Sequence, residues 1–168
     1  MISRIARDDS LARIRAEGGD YGCLMCALRD GRFGPLRVLH DDDRALVILP
    51  GYVTRWGHAL VLLRAHVTSF SDVPPADWLH LAALARRAAR AAETLFATRR
   101  CFVASTGSSG GELTQTSEHL HLHVIPVVDR HDRPGHVFSW TEGVLVADDR
   151  EWQSLLAGYT AAWARVAP

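Results

Sequence analysis

Residues 119–124 read His-Leu-His-Leu-His-Val, and the chain continues Ile125-Pro126-Val127. An alternation with period two is strand geometry, because successive side chains of a strand point to opposite faces. His119, His121 and His123 therefore share one face, and Leu120, Leu122 and Val124 share the other. The apolar continuation runs the same strand into a core. A strand with one face in water would more naturally carry Thr, Lys or Glu at the alternate positions. The plain reading is an exposed or pH-sensitive face, or an adventitious metal patch; the stronger reading is a site built from three imidazoles.

The 168 residues fit one domain and are enough to bury a sizeable core. Lys plus Arg and Asp plus Glu balance at 19 each. That leaves no global basic field and argues against a polymeric nucleic acid as partner. No apolar run is long enough to span a bilayer, so no membrane partner is expected. The N-terminal stretch is charged throughout and has no apolar signal region, so the expected compartment is the cytoplasm. Three cysteines make a poor disulfide framework, and Cys23-Leu24-Met25-Cys26 reads as metal or redox chemistry.

Residues 8–17 form a short amphipathic pattern with Leu11 and Ile14 on one side, broken by the Gly-rich "GGDYG". Strand-like runs occupy 36–40, 45–50 and 58–63, the first two separated by the acidic turn "DDDR". Residues 75–97 are a long helix, with Ser71 or Asp72 as cap and prolines at its first turn. Leu81, Leu84, Ala85, Ala88, Ala92 and Leu95 fall at helical spacing, and Arg86, Arg87 and Arg90 form an opposite, solvated face. A fourth strand covers 101–105, a polar Gly-rich connection follows, and the histidine strand is the fifth. The tail 149–166 is helical, and its stripe Trp152, Leu155, Leu156, Tyr159, Trp163 suits either the core or a dimer interface. The sum is an α+β domain: an antiparallel sheet of about five strands, with the long helix and the C-terminal helix packed on one face. Residues 1–20 are expected to be an N-terminal helical extension and 21–168 the main domain.

Imidazole is mostly neutral and nucleophilic near pH 7, since its ordinary pKa is about 6.5. It can attack phosphorus and later leave, which allows a covalent phospho-histidine to form and break. The connection "STGSSGGELTQTS" supplies hydroxyls and backbone N–H groups that suit anionic oxygens.

The stretch "QTSEHLHLHVIP" resembles the signature of the histidine-triad (HIT) superfamily, His-φ-His-φ-His-φ-φ with a Gln four residues ahead of the first His. "CLMC", "RVLHDDDRALVILP" and "GHALVLLRAH" resemble the family's N-terminal half in the same order, so that the resemblance spans roughly residues 21–127. It implies a HIT-like fold and a nucleotide substrate. It implies that the middle triad residue, His121, takes up a nucleotidyl group at its α-phosphate. His123 and His58 are then expected at the phosphate, and Thr116 at the phosphate and leaving-group oxygens, with Gln115 beside it. Gly107 and Ser105 belong to the binding loop, Ser105 standing where an Asn is common. Family members commonly form homodimers.

Many bacterial relatives carry a structural zinc. The ligands implied here are Cys23, Cys26, His66 and His119, two thiolates and two imidazoles that suit tetrahedral zinc. A reduced, empty pair of packed cysteines is the plainer alternative. Cys101 is expected to be a buried strand thiol without a role. The chain departs from the family at Pro50, where an Asp usually holds the ribose hydroxyls through bonds worth roughly 1.5–3 kcal/mol each. It departs again at Thr114, where a Gly is usual, and at Leu63, where a Pro is usual. The implied activity is nucleotide hydrolysis of the dinucleoside polyphosphate or nucleoside phosphoramidate type. The alternatives are a nucleotidyltransferase or phosphorylase, and a catalytically weak nucleotide-binding module. The chain is about half the size of the tandem-domain uridylyltransferases, and its triad ends in His, which favours hydrolysis.

Overall fold

The computed structural model describes residues 1–18, 22–98, 100–106 and 117–166. In chain order the elements are β1 Ser3–Ile5, α1 Arg7–Gly18, α2 Leu24–Arg29, β2 Val38–Asp41, β3 Ala45–Ile48, β4 Ala59–Leu63, α3 Pro75–Phe96, β5 Cys101–Ala104, β6 His121–Pro126, α4 Pro134–Ser139, β7 Val144–Val146 and α5 Asp149–Arg165. Strands β2, β3, β4, β6 and β5 lie side by side in that order in a five-stranded antiparallel sheet. This is the expected α+β architecture. Strand β1 pairs with β7 in a separate two-stranded ribbon, which three-residue strands are too short to announce in the sequence.

The register decides what each face carries. Leu60 lies opposite His123 and Leu62 opposite His121, whereas Ala59 and Val61 lie opposite Val124 and Leu122. On the second of these faces, Val47, Val61, Leu122 and Val124 pack against Leu81, Leu84, Ala85, Ala88, Ala91 and Ala92 of α3 and against Trp152, Leu155, Tyr159 and Trp163 of α5. The aromatic stripe of α5 therefore belongs to the core. On the histidine face, Leu46, Ile48, Leu60 and Leu62 pack with Met25, Ala27, Leu28 and Phe33. Helices thus cover both faces, where one was expected. The cause is visible in β3 and β4, whose residues are all buried: strands apolar on both sides need cover on both sides.

Three local expectations are corrected. Helix α3 is not capped by Ser71 or Asp72; Pro74 is its N-cap, without a side-chain bond, and Pro75 occupies the first turn. Ser69 and its neighbours instead form a short 3-10 turn over Phe70–Asp72. Arg87 does not face solvent: its guanidinium lies 4.5 Å from the Trp163 ring centroid and donates to the Trp163 carbonyl at 3.1 Å, joining α3 to α5. The histidine strand starts at His121, with His119 just outside the ladder.

Gly57 sets the entry to β4 and hence the position of His58. Its φ is +88°, and a Cβ there would collide with the Phe96 ring. The buried Tyr159 hydroxyl donates to its carbonyl. Gly57→Ala should destabilise the fold by about 2 kcal/mol or more, through backbone strain and overpacking together, as read from the urea midpoint.

Candidate active site and metal-ligand cluster

The pairing of β4 with β6 brings His58, His121 and His123 together at one wall of a pocket. The Nε2 of His58 lies 2.9 Å from Nδ1 of His123, and the His121 and His123 ring centroids are 4.7 Å apart in an edge-on arrangement. The Phe138 ring lies 5.6 Å from His123, also edge-on, and fixes that imidazole from the other side. His121 is held by its own strand entry: its Nδ1 is 2.7 Å from the carbonyl oxygen of His119, to which it donates. A neutral imidazole has one N–H. With that proton on Nδ1, the Nε2 of His121 keeps its lone pair.

Burial pushes the pKa of His121 down and that of His123 well down. In His58 burial acts first and the neighbouring His121 second, and its pKa falls to about 3. The site is a set of neutral imidazoles. Nδ1 of His58 is buried and, among the described residues, makes no hydrogen bond. A buried orphan acceptor is tolerated better than a buried orphan N–H. The His58 proton therefore belongs on Nε2, donated to Nδ1 of His123, and His123 in turn carries its own proton on Nε2. His58 also sets a pH dependence. Unfolded, it titrates near 6.5; folded, it stays neutral to about 3. Below about pH 6.5 the unfolded chain binds a proton that the folded chain refuses. The contribution of His58 to stability is thus complete above 6.5 and is lost as pH falls towards 3, by at most about 1.4 kcal/mol per pH unit. Urea midpoints measured between pH 7.5 and 5 should fall less steeply in His58→Gln than in the parent.

The pocket in front of the imidazoles is lined by Ile14 of α1, by Leu24, Met25 and Leu28 of α2, and by Pro50, Tyr52, Ser117 and Trp140. It is mostly apolar with a few convergent polar groups, as small-molecule sites are. Pro50 stands at its rim with no carboxylate of its own. Tyr52 next to it donates to the Glu17 carboxylate at 2.6 Å. Ser105 is half-buried directly after Ala104, the residue opposite His123 in the ladder. Gly107, Gln115 and Thr116 lie outside the described residues. Sequence reasoning missed Ser117, Tyr52, Phe138 and Trp140. Trp140 sits at the end of α4 with φ +59°, a conformation that nothing in "SWTE" announces.

Cys23, Cys26, His66 and His119 form a second cluster beside the first. Their ligand atoms all lie within 4.8 Å of one another. Cys26 Sγ is 3.2 Å from His66 Nδ1 and 3.4 Å from His119 Nδ1. A tetrahedron with zinc bonds of 2.0–2.3 Å has edges of about 3.3–3.8 Å, so the donor set fits zinc with small adjustments. Cys23 caps α2, its sulfur accepting from Cys26 N at 3.5 Å, so the helix start holds both thiols. Burial opposes ionisation of Cys23, but hydrogen bonds from Cys26 and Ser117 outweigh it and lower its pKa. Burial and the Cys23 neighbour raise that of Cys26. His119 is fully buried, and its Nε2 donates to the Leu63 carbonyl at 2.8 Å, which turns Nδ1 towards the sulfurs. Burial lowers its pKa to about 4 and keeps it in the neutral form a metal requires. Cys101 stands apart, its thiol against the Ala89 carbonyl and pushed up by burial to about 11.

A family model described as the HIT domain matches residues 34–129, more than half of the chain. The chain belongs to the HIT family. HIT-like proteins of two Mycobacterium tuberculosis strains are each 31% identical to it over 127 residues, covering 76% of this chain and 83% of the relative. Among solved structures, a zinc-bound histidine-triad family protein of Mycobacterium smegmatis is 30% identical, with a TM-score of 0.64 over 88% of this chain and 96% of its own. The diadenosine triphosphate hydrolase of Plasmodium falciparum shares the fold at 16% identity and a TM-score of 0.56, over 76% of this chain and 74% of its own. Among the described residues, no helix of this HIT protein is long and apolar enough to cross a membrane.

Proposed function

We propose that the protein is a nucleotide hydrolase, of the dinucleoside polyphosphate or nucleoside phosphoramidate type, working through a covalent nucleotidyl-His121 intermediate. The observation that carries this reading is the His121 ring: buried, neutral, its proton tied to the His119 carbonyl, and its second nitrogen unprotonated at a pocket wall. The Nε2 lone pair forms a bond to the α-phosphorus as the bond from phosphorus to the leaving group breaks. The electron pair of that bond goes to a phosphate oxygen of the polyphosphate, or to an amine nitrogen that takes up a proton from solvent. Charge developing on the phosphate oxygens is met by the Nε2–H of His123, which His58 holds in place. Thr116, Gln115, Gly107 and Ser105 are assigned to the same oxygens. Water then attacks phosphorus, the P–N bond breaks with its electron pair returning to Nε2, and the proton of the water passes to solvent. A hydrolase of the same fold among the neighbours supports this reading.

The same reading assigns a structural zinc to Cys23, Cys26, His66 and His119, supported by the zinc-bound relative and the donor set. When bound, the zinc would supply no reaction chemistry; it would tie α2 and the segment after β4 to the start of β6. The protein is further assigned to the cytoplasm and to a homodimer, the outer edge of β5, unpaired among the described residues and carrying the exposed Val103, being the candidate contact. The test is incubation with α-labelled dinucleoside polyphosphate followed by a rapid quench. An acid-labile label on the wild-type chain and none on His121→Ala is expected; label persisting in the variant would overturn the assignment. Tight nucleotide binding with no turnover of either substrate class would replace the reading with that of a binding module.

A further inference from the structure

His40 on β2, Asp42 in the β2–β3 turn and His80 on α3 meet on the side of the sheet covered by α3 and α5, away from the triad. Nε2 of His40 lies 2.7 Å and Nε2 of His80 2.8 Å from the same oxygen, Oδ2 of Asp42. The other oxygen, Oδ1, is already occupied by the backbone N–H groups of Arg44 at 2.9 Å and Ala45 at 2.8 Å. The turn therefore fixes the carboxylate, and it presents one oxygen to two imidazoles. The three ligand atoms lie within 4.8 Å of one another. The side chains are each about one-quarter exposed, so water reaches the cluster from one side. The neighbouring cations are engaged elsewhere: Arg44 with Asp77, and Arg64 with Asp41.

We propose that His40, Asp42 and His80 form a binding site for a divalent cation of the zinc or nickel class, distinct from the cysteine cluster. Two imidazole nitrogens and one carboxylate oxygen are a donor set that such ions accept, with a solvent-facing position left for water. Two imidazoles converge on one oxygen from different elements while the turn holds the other, which brings three ligand atoms to one point and makes a three-point chelate. Each ring gives its Nε2 lone pair to the cation and keeps its single proton on Nδ1. The cation clips the edge hairpin β2–β3 to the first half of α3. This site does not rest on the hydrolase reading and takes no part in it.

The experiment is zinc analysis of the full chain after dialysis against micromolar Zn²⁺. Two zinc ions per chain are expected for the wild type, and one each for His80→Gln, Asp42→Asn and Cys26→Ser. His80→Gln keeps a donor to Asp42, so circular dichroism should be unchanged while the ion is lost. In Cys26→Ser the remaining site, loaded with Co²⁺, should show d–d bands without thiolate charge transfer. A wild-type stoichiometry of one that drops to zero in Cys26→Ser and is unmoved in His80→Gln would overturn this proposal and leave the cysteine site standing. One ion that survives Cys26→Ser and vanishes in His80→Gln would support it and overturn the cysteine site instead.

Discussion

His121→Ala should lower kcat by about 10⁴-fold or more while leaving substrate affinity within a few-fold of the parent. That is the scale of removing a covalent nucleophile, equivalent to roughly 5.5 kcal/mol of barrier. The asymmetry between kcat and KM follows from the geometry. His121 contributes one nitrogen to the pocket, whereas the apolar walls from α1, α2 and Trp140 contribute most of the contact surface. His123→Ala should behave differently, losing charge stabilisation without losing the bond-forming atom, and a loss nearer 10²–10³-fold is expected, the scale of one oxyanion donor. Steady-state kinetics on both variants with one dinucleoside polyphosphate checks the pair. If the two losses were equal, His121 would have no special place among the imidazoles.

Cys26→Ser should remove the zinc assigned to the cysteine cluster and destabilise the chain by more than about 3 kcal/mol. Structural zinc binds small folding-coupled peptides with roughly 10–16 kcal/mol, and part of that is folding free energy. Cys26 is central to the cluster, its sulfur lying within 3.4 Å of both imidazole nitrogens. Metal content and urea unfolding, with and without a strong chelator, measure both effects. The chelator should shift the wild-type midpoint much further than that of Cys26→Ser, which has only the His40–Asp42–His80 ion left to lose. An identical response in the two proteins would remove the metal from the stability of this fold.

The sheet was legible because its strands are short apolar runs bounded by acidic or Gly-containing turns, and the register of β6 followed from strict alternation at His121, Leu122 and His123. The long helix was legible from the recurrence Leu81, Leu84, Ala85, Ala88. Helix α2 was not, because the six residues of "LMCALR" are too few to show a period. Its absence from the sequence reading is what made one face of the sheet look uncovered. At the site, residue types and order pointed to the imidazoles, but no sequence pattern reports that the Nδ1 proton of His121 is tied down or that, among the described residues, a His58 nitrogen is left without a partner. Those are properties of burial and of partners 2 to 65 positions away. Trp140 reaches the pocket, and Phe138 the His123 ring, from a segment held by the Arg55–Asp132 ion pair and the Thr54 bond to the Val137 carbonyl.

His119 holds two posts at once. Its ring faces the sulfurs, and its carbonyl oxygen, a few covalent bonds away, takes the proton of His121. A shift of the backbone at residue 119 would move the ring and that carbonyl together. If His121 is the nucleophile proposed above and the cluster holds zinc, an agent that strips the metal and lets this backbone shift would weaken the nucleophile without entering the pocket, and it would look to the kineticist like an inhibitor with no competition from substrate.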